Sequence, residues 1–414
     1  MVRRRLGGNF ARLWTAGAVS NLGDGVVLAA MPLLAASLSH DDPVTVALVA
    51  TAGTLPWLLF SLVGGAIADR TDRRRTMAVV DGMRFVAMAA LAVALLAGAE
   101  SIVLLVIVSF ALGMAETVFD NASQAILPSL VTDDDLLETA NGRLEGAQIV
   151  TNQFVGPPVG AVLFGLAAAA PFFLDAASFA LAALLALTLR GSFRPERELQ
   201  GTTVRSDIAE GVRWLVRHRV LRTLAIALGV INFVGLAAMT ILVLYAENVL
   251  HLTKLQYGLL FTVEAAGALL GSLVAARISA RLGPGTTLAT AIAISAASFL
   301  VPVVWANAIA VAASLALGAF WGLVWNVITV SLRQTLVPDA LLGRVNSAYR
   351  LVGWGTMPLG ALAGGLLADA FGLRAPFLVA GVVALLLAAW LSLTVSNRSI
   401  ARARRRAMFA PDAG

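Results

Sequence analysis

Twelve times along this chain an apolar stretch of about 20 residues or more runs between charges, Pro or Gly, the length at which a helix crosses a hydrocarbon core about 30 Å thick. The stretches cover residues 13–38, 44–68, 77–97, 102–122, 144–167, 171–189, 221–246, 256–276, 286–305, 308–332, 345–370 and 375–394. Hydrophobic residues make up 59% of the 414 and charged residues 13%, and mean hydropathy is +0.86, a balance no water-soluble domain of this size sustains. The fold class is therefore all-α integral membrane, with twelve transmembrane helices. Helix 1 is too long for the apolar core of a cleaved signal peptide and reads as a permanent span.

Charge placement sets the orientation. Of the 30 Lys and Arg, only Lys254 and Arg374 fall in the loops after helices 1, 3, 5, 7, 9 and 11. Basic residues accumulate on the cytoplasmic side, so both termini are expected in the cytoplasm. The net charge of +6 implies no nucleic acid, because Arg3 to Arg5, the central loop and the Arg402 to Arg406 tail would lie against anionic lipid of the bilayer. Several chemistries are excluded or lack their residues. Cys is absent, which removes disulfides, thiolate nucleophiles and Cys-metal sites. His40, His218 and His251 lie in or near loops without ligand spacing, so no metal is expected. There is no Gly-x-x-x-x-Gly-Lys-[Ser/Thr] loop for ATP, no cofactor motif, and no nucleophile and base constellation of an enzyme.

The second half repeats the first. A single gapless register lays Asn121 on Asn326, Asp134 on Asp339, Leu136 and Leu137 on Leu341 and Leu342, Asn141 on Asn346, Gly160 on Gly365, and Pro171-Phe172 on Pro376-Phe377. This predicts two pseudo-symmetric six-helix bundles duplicated in parallel, residues 1–189 and 221–396, with substrate sites near the midplane. Between them, residues 190–220 form a polar cytoplasmic linker. Within it Ile208, Val212, Leu215 and Val216 oppose Arg213 and Arg217, predicting a short helix on the inner membrane surface. The tail, 397–414, is basic, then small and polar, and is expected to be mobile.

Between helices 2 and 3 runs GAIADRTDRRR. Gly65, Asp69, Arg70, Arg73 and Arg74 resemble the Gly-x-x-x-Asp-Arg-x-Gly-Arg-Arg signature of the major facilitator superfamily, with Asp72 where glycine is expected. The second-half run keeps Gly271, Arg277 and Arg281 but has no acid. Asp69 at a helix end can accept charge-assisted hydrogen bonds that hold the cytoplasmic helix ends in one state and release them in another. Gly64 and Gly65 permit close helix approach. In helix 5, GPPVGA places Gly156, Pro157 and Gly160 in a pattern similar to the Gly-Pro-x-x-Gly-Gly signature of antiporters in that superfamily, with Ala161 for the last glycine. Pro157 and Pro158 each remove a backbone donor, which predicts a bend. NLGDG at 21–25, the run from Leu127, and Ala140-Asn141 are similar to the bacterial branch containing macrolide efflux proteins and the enterobactin exporter. The resemblance implies a monomeric, multi-pass protein of the bacterial inner membrane performing proton-coupled efflux of amphiphilic small molecules by alternating access. Its alternative is a dedicated exporter of a siderophore, peptide or self-made antibiotic. A third reading is a non-transporting membrane sensor or scaffold.

An ionised side chain at mid-bilayer costs about 2.5–3.5 kcal/mol even on the lenient insertion scale, so buried acids are functional candidates. Asp24, Glu116, Asp120 and Glu264 are the candidates for proton coupling. Asp24 lies near the middle of helix 1. Glu116 and Asp120 share a face of helix 4, and two acids so close in low dielectric resist ionising together. Asp81 and Arg84 read as a structural pair near the inner end of helix 3, or as part of the Asp69 turn. Asp175 and Glu145 are expected near span ends, where water reaches them. For cargo, Trp321 and Trp325, four apart on helix 10, serve either packing or stacking on a flat or cationic molecule. Asn21, Gln148, Asn152, Asn232 and Asn326 supply further polar contacts. Deep acids without a matched deep Lys suggest tolerance of cations, with neutral macrocycles kept open as cargo.

Overall fold

The computed structural model describes residues 6–68, 71–131, 134–191, 193 and 204–408, with backbone alone at 61–68, 134–135, 138, 204–208, 339–340 and 406–408. The helices in chain order are α1 (Gly7–Ser39), α2 (Pro43–Ala68), α3 (Arg73–Leu96), α4 (Ile102–Leu130), α5 (Asp134–Gln148), α6 (Gly156–Leu166), α7 (Ala170–Leu187), α8 (Val204–Arg217), α9 (Arg219–Asn248), α10 (Lys254–Leu282), α11 (Pro284–Val304), α12 (Ala308–Leu336), α13 (Asp339–Gly355), α14 (Met357–Phe371), α15 (Ala375–Thr394) and α16 (Asn397–Met408). A π-helical turn, Ile149–Val155, joins α5 to α6. Among the described residues there are 12 spans of membrane length. The fifth combines α5, the π turn and α6, and the eleventh combines α13 and α14.

Side chains at the helix starts take up orphan amides. Ser101 accepts from Leu104 N at 3.2 Å to open α4, and Asn307 accepts from Ile309 N and Ala310 N at 3.0 and 3.1 Å to open α12. Asp72, the departure from the expected glycine, caps α3 by accepting from Arg75 N at 3.2 Å.

The chain divides into two compact units, Met1–Leu199 with His251–Thr262, and Gln200–Leu250 with Val263–Gly414. In the first, α1 packs on α6 and α7, α3 on α7, and α2 on α4. In the second, α9 packs on α14 and α15, and α11 on α15. There Gly267 and Gly271 bring α10 against the α12 backbone at Ala316 and Phe320. The same partnerships recur, which is the repeat expressed as packing. Phe10, Met77, Ile126 and Phe193 lie in the first core, and Leu221, Leu332, Tyr349 and Ile400 in the second.

The linker forms its expected short helix, whereas the tail departs from expectation. Helix α8 packs on α13 within its own unit: Gly211 meets the Arg344 backbone, Glu210 pairs with Arg344, and Leu215 is buried. The expected tail begins with an anchored helix. Asn397 Oδ1 accepts from Gly285 N at 2.7 Å and Thr286 N at 3.3 Å, its Nδ2 donates to Leu282 O at 3.0 Å, and Ile400 is buried. Asn397 and the buried Ile400, inside a basic run, thus fix α16, while 409–414 lie outside the described residues.

His218 caps α9, its Nδ1 accepting from Leu221 N at 3.3 Å while its ring stacks on Trp214 with centroids 5.0 Å apart. Burial lowers its pKa from the usual 6.5, partly opposed by a backbone hydrogen bond. A depressed base binds fewer protons folded than unfolded, so its contribution is complete above 6.5 and fades as pH falls through the folded value. Protonating Nδ1 also removes the cap acceptor. Acidification is expected to weaken the α8–α9 junction by about 1 kcal/mol, the scale of an N-cap. Thermal unfolding in detergent checks this: the His218→Asn protein, which keeps an acceptor, should lose that part of the pH dependence.

Candidate functional site

Arg84 of α3 is the centre of the first unit's polar interior. It is 3% exposed and its Nη1 lies 3.8 Å from Asp81 Oδ1, itself 1% exposed. Phe119 of α4 and Phe179 of α7 each hold a ring centroid 5.1 Å from the guanidinium carbon. Two aromatic rings therefore lie against the flat cation, an arrangement suited to arginine. Asp24, Glu116 and Asp120 lie within electrostatic reach of the same group. So three of the four expected proton-coupling acids gather around one cation, which sequence reading had placed at the edge of the site.

Asp175 adds a fifth carboxylate. It is fully buried, within reach of Asp24 and Arg84, and accepts from Ser178 Oγ at 3.3 Å. This corrects the expectation of a water-reached acid at a span end. Gly23 is the reason: a Cβ there would overlap Asp175 Oδ1 and Ser178 Oγ, so its absence lets α1 seal α7 at that level. Asp24 is half-buried, Glu116 is exposed, and the Trp57 indole of α2 donates to Glu116. Like charges about 6 Å apart repel by about 3 kcal/mol at an effective dielectric near 20. Five carboxylates with one guanidinium carry a surplus of negative charge that protons can neutralise.

The candidate gating residues fall in two places. Asp69 and Arg70 lie outside the described residues, and Gly65 is described only as backbone of α2. Arg74 Nη1 donates to Leu189 O at 2.9 Å, and Arg73 donates from its backbone N to Phe193 O at 3.3 Å and from Nη1 to Ser129 Oγ at 3.4 Å. These bonds tie the start of α3 to α4 and to the chain after α7. Gly156, Pro157 and Gly160 lie at the other place, where α6 crosses α1. A Cβ on Gly156 would lie 2.6 Å from Gly25 Cα, and one on Gly160 would overlap Val26 O. Pro157 and Pro158 cannot donate to the carbonyls of Gln153 and Phe154, and the backbone widens there into the π turn. Thr262 Oγ1 donates to Phe154 O at 2.8 Å, filling one of those vacancies. Asn152 contributes its backbone against Gly25, Gln148 is exposed, and Asn21 is half-buried.

The second unit holds a cavity of about 540 Å3. Glu264, Asn232, Trp321, Trp325 and Asn326 all line it, so five residues chosen from sequence on three helices share one space. Asn232 Nδ2 donates to Gly353 O at 2.9 Å. Sequence reading missed the basic end. Arg333 stacks on Tyr349 at 4.1 Å and donates from Nε to Asn346 Oδ1 at 2.9 Å, while Arg350 lies over Trp354 at 4.4 Å. The available signal was the place of Arg333 four residues after Thr329, on the face of Trp325 and Asn326, just past the end of the apolar stretch.

Comparison with known proteins places this architecture. The family model described as transmembrane secretion effector matches residues 7–410. The multidrug efflux pump Tap of Mycolicibacterium fortuitum is 31% identical over 403 residues, covering 91% of this chain and 92% of Tap. The enterobactin exporter EntS of Escherichia coli O1:K1 is 24% identical over 349 residues, covering 82% of this chain and 80% of EntS. The crystal structure of the nucleoside transporter NupG matches with a TM-score of 0.79 at 11% identity, covering 94% of this chain and 100% of NupG, a likeness of fold. The protein is thus a multi-pass membrane transporter of the major facilitator superfamily and belongs to its transmembrane secretion effector family.

Proposed function

We propose that this transporter exports amphiphilic small molecules from a bacterial cell in exchange for protons. The observation that carries the reading is the single guanidinium of Arg84 set among Asp24, Asp81, Glu116, Asp120 and Asp175, inside a chain related to the efflux pump Tap. Such a cluster changes its net charge by taking up or releasing protons, and Arg84 can shift its pairing among the acids as it does so. Asp24, Glu116 and Asp120 are the proton-coupling groups of the first unit. Glu264 is that of the second, beside cargo held by Asn232, Trp321, Trp325 and Asn326. The Gly156–Gly160 crossing and the Arg73–Arg74 ties serve the conformational change of alternating access. With both termini in the cytoplasm of the inner membrane, inward proton flow supplies about 2.3 kcal/mol per charge for each 100 mV. A monomer contains every part this scheme uses.

The test is transport in proteoliposomes under an imposed pH gradient. Wild-type protein should move cargo against its gradient and stop when an uncoupler is added. The Asp24→Asn and Glu116→Gln proteins should each lose about tenfold or more of the gradient-driven rate while retaining downhill exchange of cargo. Full gradient-driven transport by both variants would refute the assignment. The relationship to EntS favours a second reading, a dedicated siderophore or peptide exporter. Accumulation measured across chemical classes in an exporter-depleted host distinguishes it, because a dedicated exporter lowers one class alone.

A further inference from the structure

The gapless register that relates the two halves changes the charge carried by one helix face. It lays Glu116 on Trp321, Asp120 on Trp325, Pro128 on Arg333 and Glu145 on Arg350, while Ser109 and Gly113 recur as Ser314 and Gly318. Where the first unit carries acids, the second therefore carries neutral indoles followed by two arginines. Both arginines line the second unit's cavity of about 540 Å3, and Trp321 and Trp325 line it further back along α12.

Arg333 is half-buried and held by neutral groups. Its guanidinium rests on the Tyr349 ring at 4.1 Å, and its Nε donates to Asn346 Oδ1 at 2.9 Å. The Tyr349 hydroxyl donates to Leu224 O at 3.3 Å, which fixes the buried ring beneath the cation. The titratable groups within electrostatic reach of Arg333 are the Tyr349 phenol and the Arg350 guanidinium. Among the described residues no carboxylate is one of them, Glu264 of the same cavity included. Two like charges lining one cavity repel each other, and an anion held by both is attracted twice. Eight residues before Arg333, about 12 Å along the helix, Trp325 Nε1 has no hydrogen-bond partner in a residue only 4% exposed. An indole N–H can only donate, and buried donors are rarely left unmatched, so an acceptor belongs beside it.

We infer that this end of the cavity is a recognition site for the oxyanion head of an amphiphile, a carboxylate, sulfonate or phosphate ester held by Arg333 and Arg350, with its flat or apolar body along Trp325 and Trp321. A guanidinium offers such a head two parallel N–H bonds, which an ammonium does not. The head belongs either to soluble cargo or to a lipid, since both present the same oxygens. Its use as cargo rests on the export reading, but binding requires no gradient and can be tested apart from proton coupling.

Equilibrium binding to purified full-length transporter in phosphatidylcholine nanodiscs, in excess of empty discs, provides the test. Naphthalene-2-sulfonate is the anionic probe and naphthalene-2-sulfonamide its neutral counterpart of nearly the same shape. Arg333→Gln should weaken sulfonate binding by about tenfold or more, and Arg333→Lys, which keeps the charge without the fork, by about threefold. The sulfonamide should bind wild type and Arg333→Gln alike, which also reports that the cavity has folded. Should Arg333→Gln lose both probes, Arg350→Gln supplies the same comparison and should lose the sulfonate selectively. Inorganic sulfate at constant ionic strength should displace the sulfonate and leave the sulfonamide bound. In phosphatidylglycerol discs the difference between wild type and Arg333→Gln should persist for a soluble ligand, and its disappearance would assign the site to a lipid phosphate. Equal sulfonate binding by wild type and Arg333→Gln would overturn the site, as would failure of the sulfonate to bind wild type or selective loss in neither variant. Intact uphill transport by Asp24→Asn and Glu116→Gln with this pattern present would sink proton coupling alone; impaired transport there without the pattern would sink the oxyanion site alone.

Discussion

Arg84→Met is expected to yield almost no active transporter, and Arg84→Lys a protein of intermediate stability. Methionine matches the volume but leaves Asp81, 1% exposed, without the cation that lies 3.8 Å away. Breaking a buried ion pair from one side typically costs about 3–5 kcal/mol, because the remaining charge stays desolvated. Here four further carboxylates share the same partner, so the loss falls on the whole cluster. Lysine restores the charge but cannot lie flat against Phe119 and Phe179, whose centroids are each 5.1 Å from the guanidinium carbon. Thermal unfolding in detergent and export assays read the two effects separately. Adding Asp81→Asn to Arg84→Met should recover folded protein, because it removes the nearest orphaned charge, but not gradient-driven transport. Wild-type stability and transport in Arg84→Met would show that the acids do not depend on this cation.

The depth of a residue along its own helix was legible from sequence; the identity of what covers it was not. Apolar length sufficed for the spans, and the four-residue spacing of Trp321 and Trp325 sufficed to place both on one face of α12 that opens to a cavity. Asp175 shows the limit. It stands five residues into α7, which reads as a position near water, yet α1 crosses there and Gly23 lets it close over the carboxylate. Nothing local to Asp175 records that crossing. Arg84 was hidden in the same way, because its rings come from α4 and α7 and its acids from four helices. The π turn was half legible: two adjacent prolines announce missing donors, but the hydroxyl that answers one of them comes from Thr262, more than a hundred residues away. The anchored start of α16 was missed because a run of arginines dominates its composition, while its attachment depends on two residues, Asn397 and Ile400.

Gly160→Ala should abolish export, and Gly165→Ala on the same helix should leave it intact. The added methyl at Gly160 would overlap Val26 O and lie 2.8 Å from Val26 C, both backbone atoms of α1. Backbone cannot swing aside as a side chain does, so α1 and α6 must separate, and overpacking of this kind costs about 1–3 kcal/mol. At Gly165 the nearest atom is Lys254 Cδ at 4.0 Å, the end of a flexible side chain. The pair controls for helix propensity, since both changes favour a helix equally by removing glycine. Separation at Gly160 also reaches the site: α1 carries Asp24 two residues before Val26, and the same helix seals Asp175 through Gly23. A shift of α1 therefore loosens the carboxylate cluster as well as the crossing, and transport should fall further than stability. Susceptibility in an exporter-depleted host, read beside thermal unfolding, checks the order of effects. Normal export by Gly160→Ala would mean that α1 and α6 need no close contact, and that the glycines of this segment leave the carboxylate geometry untouched.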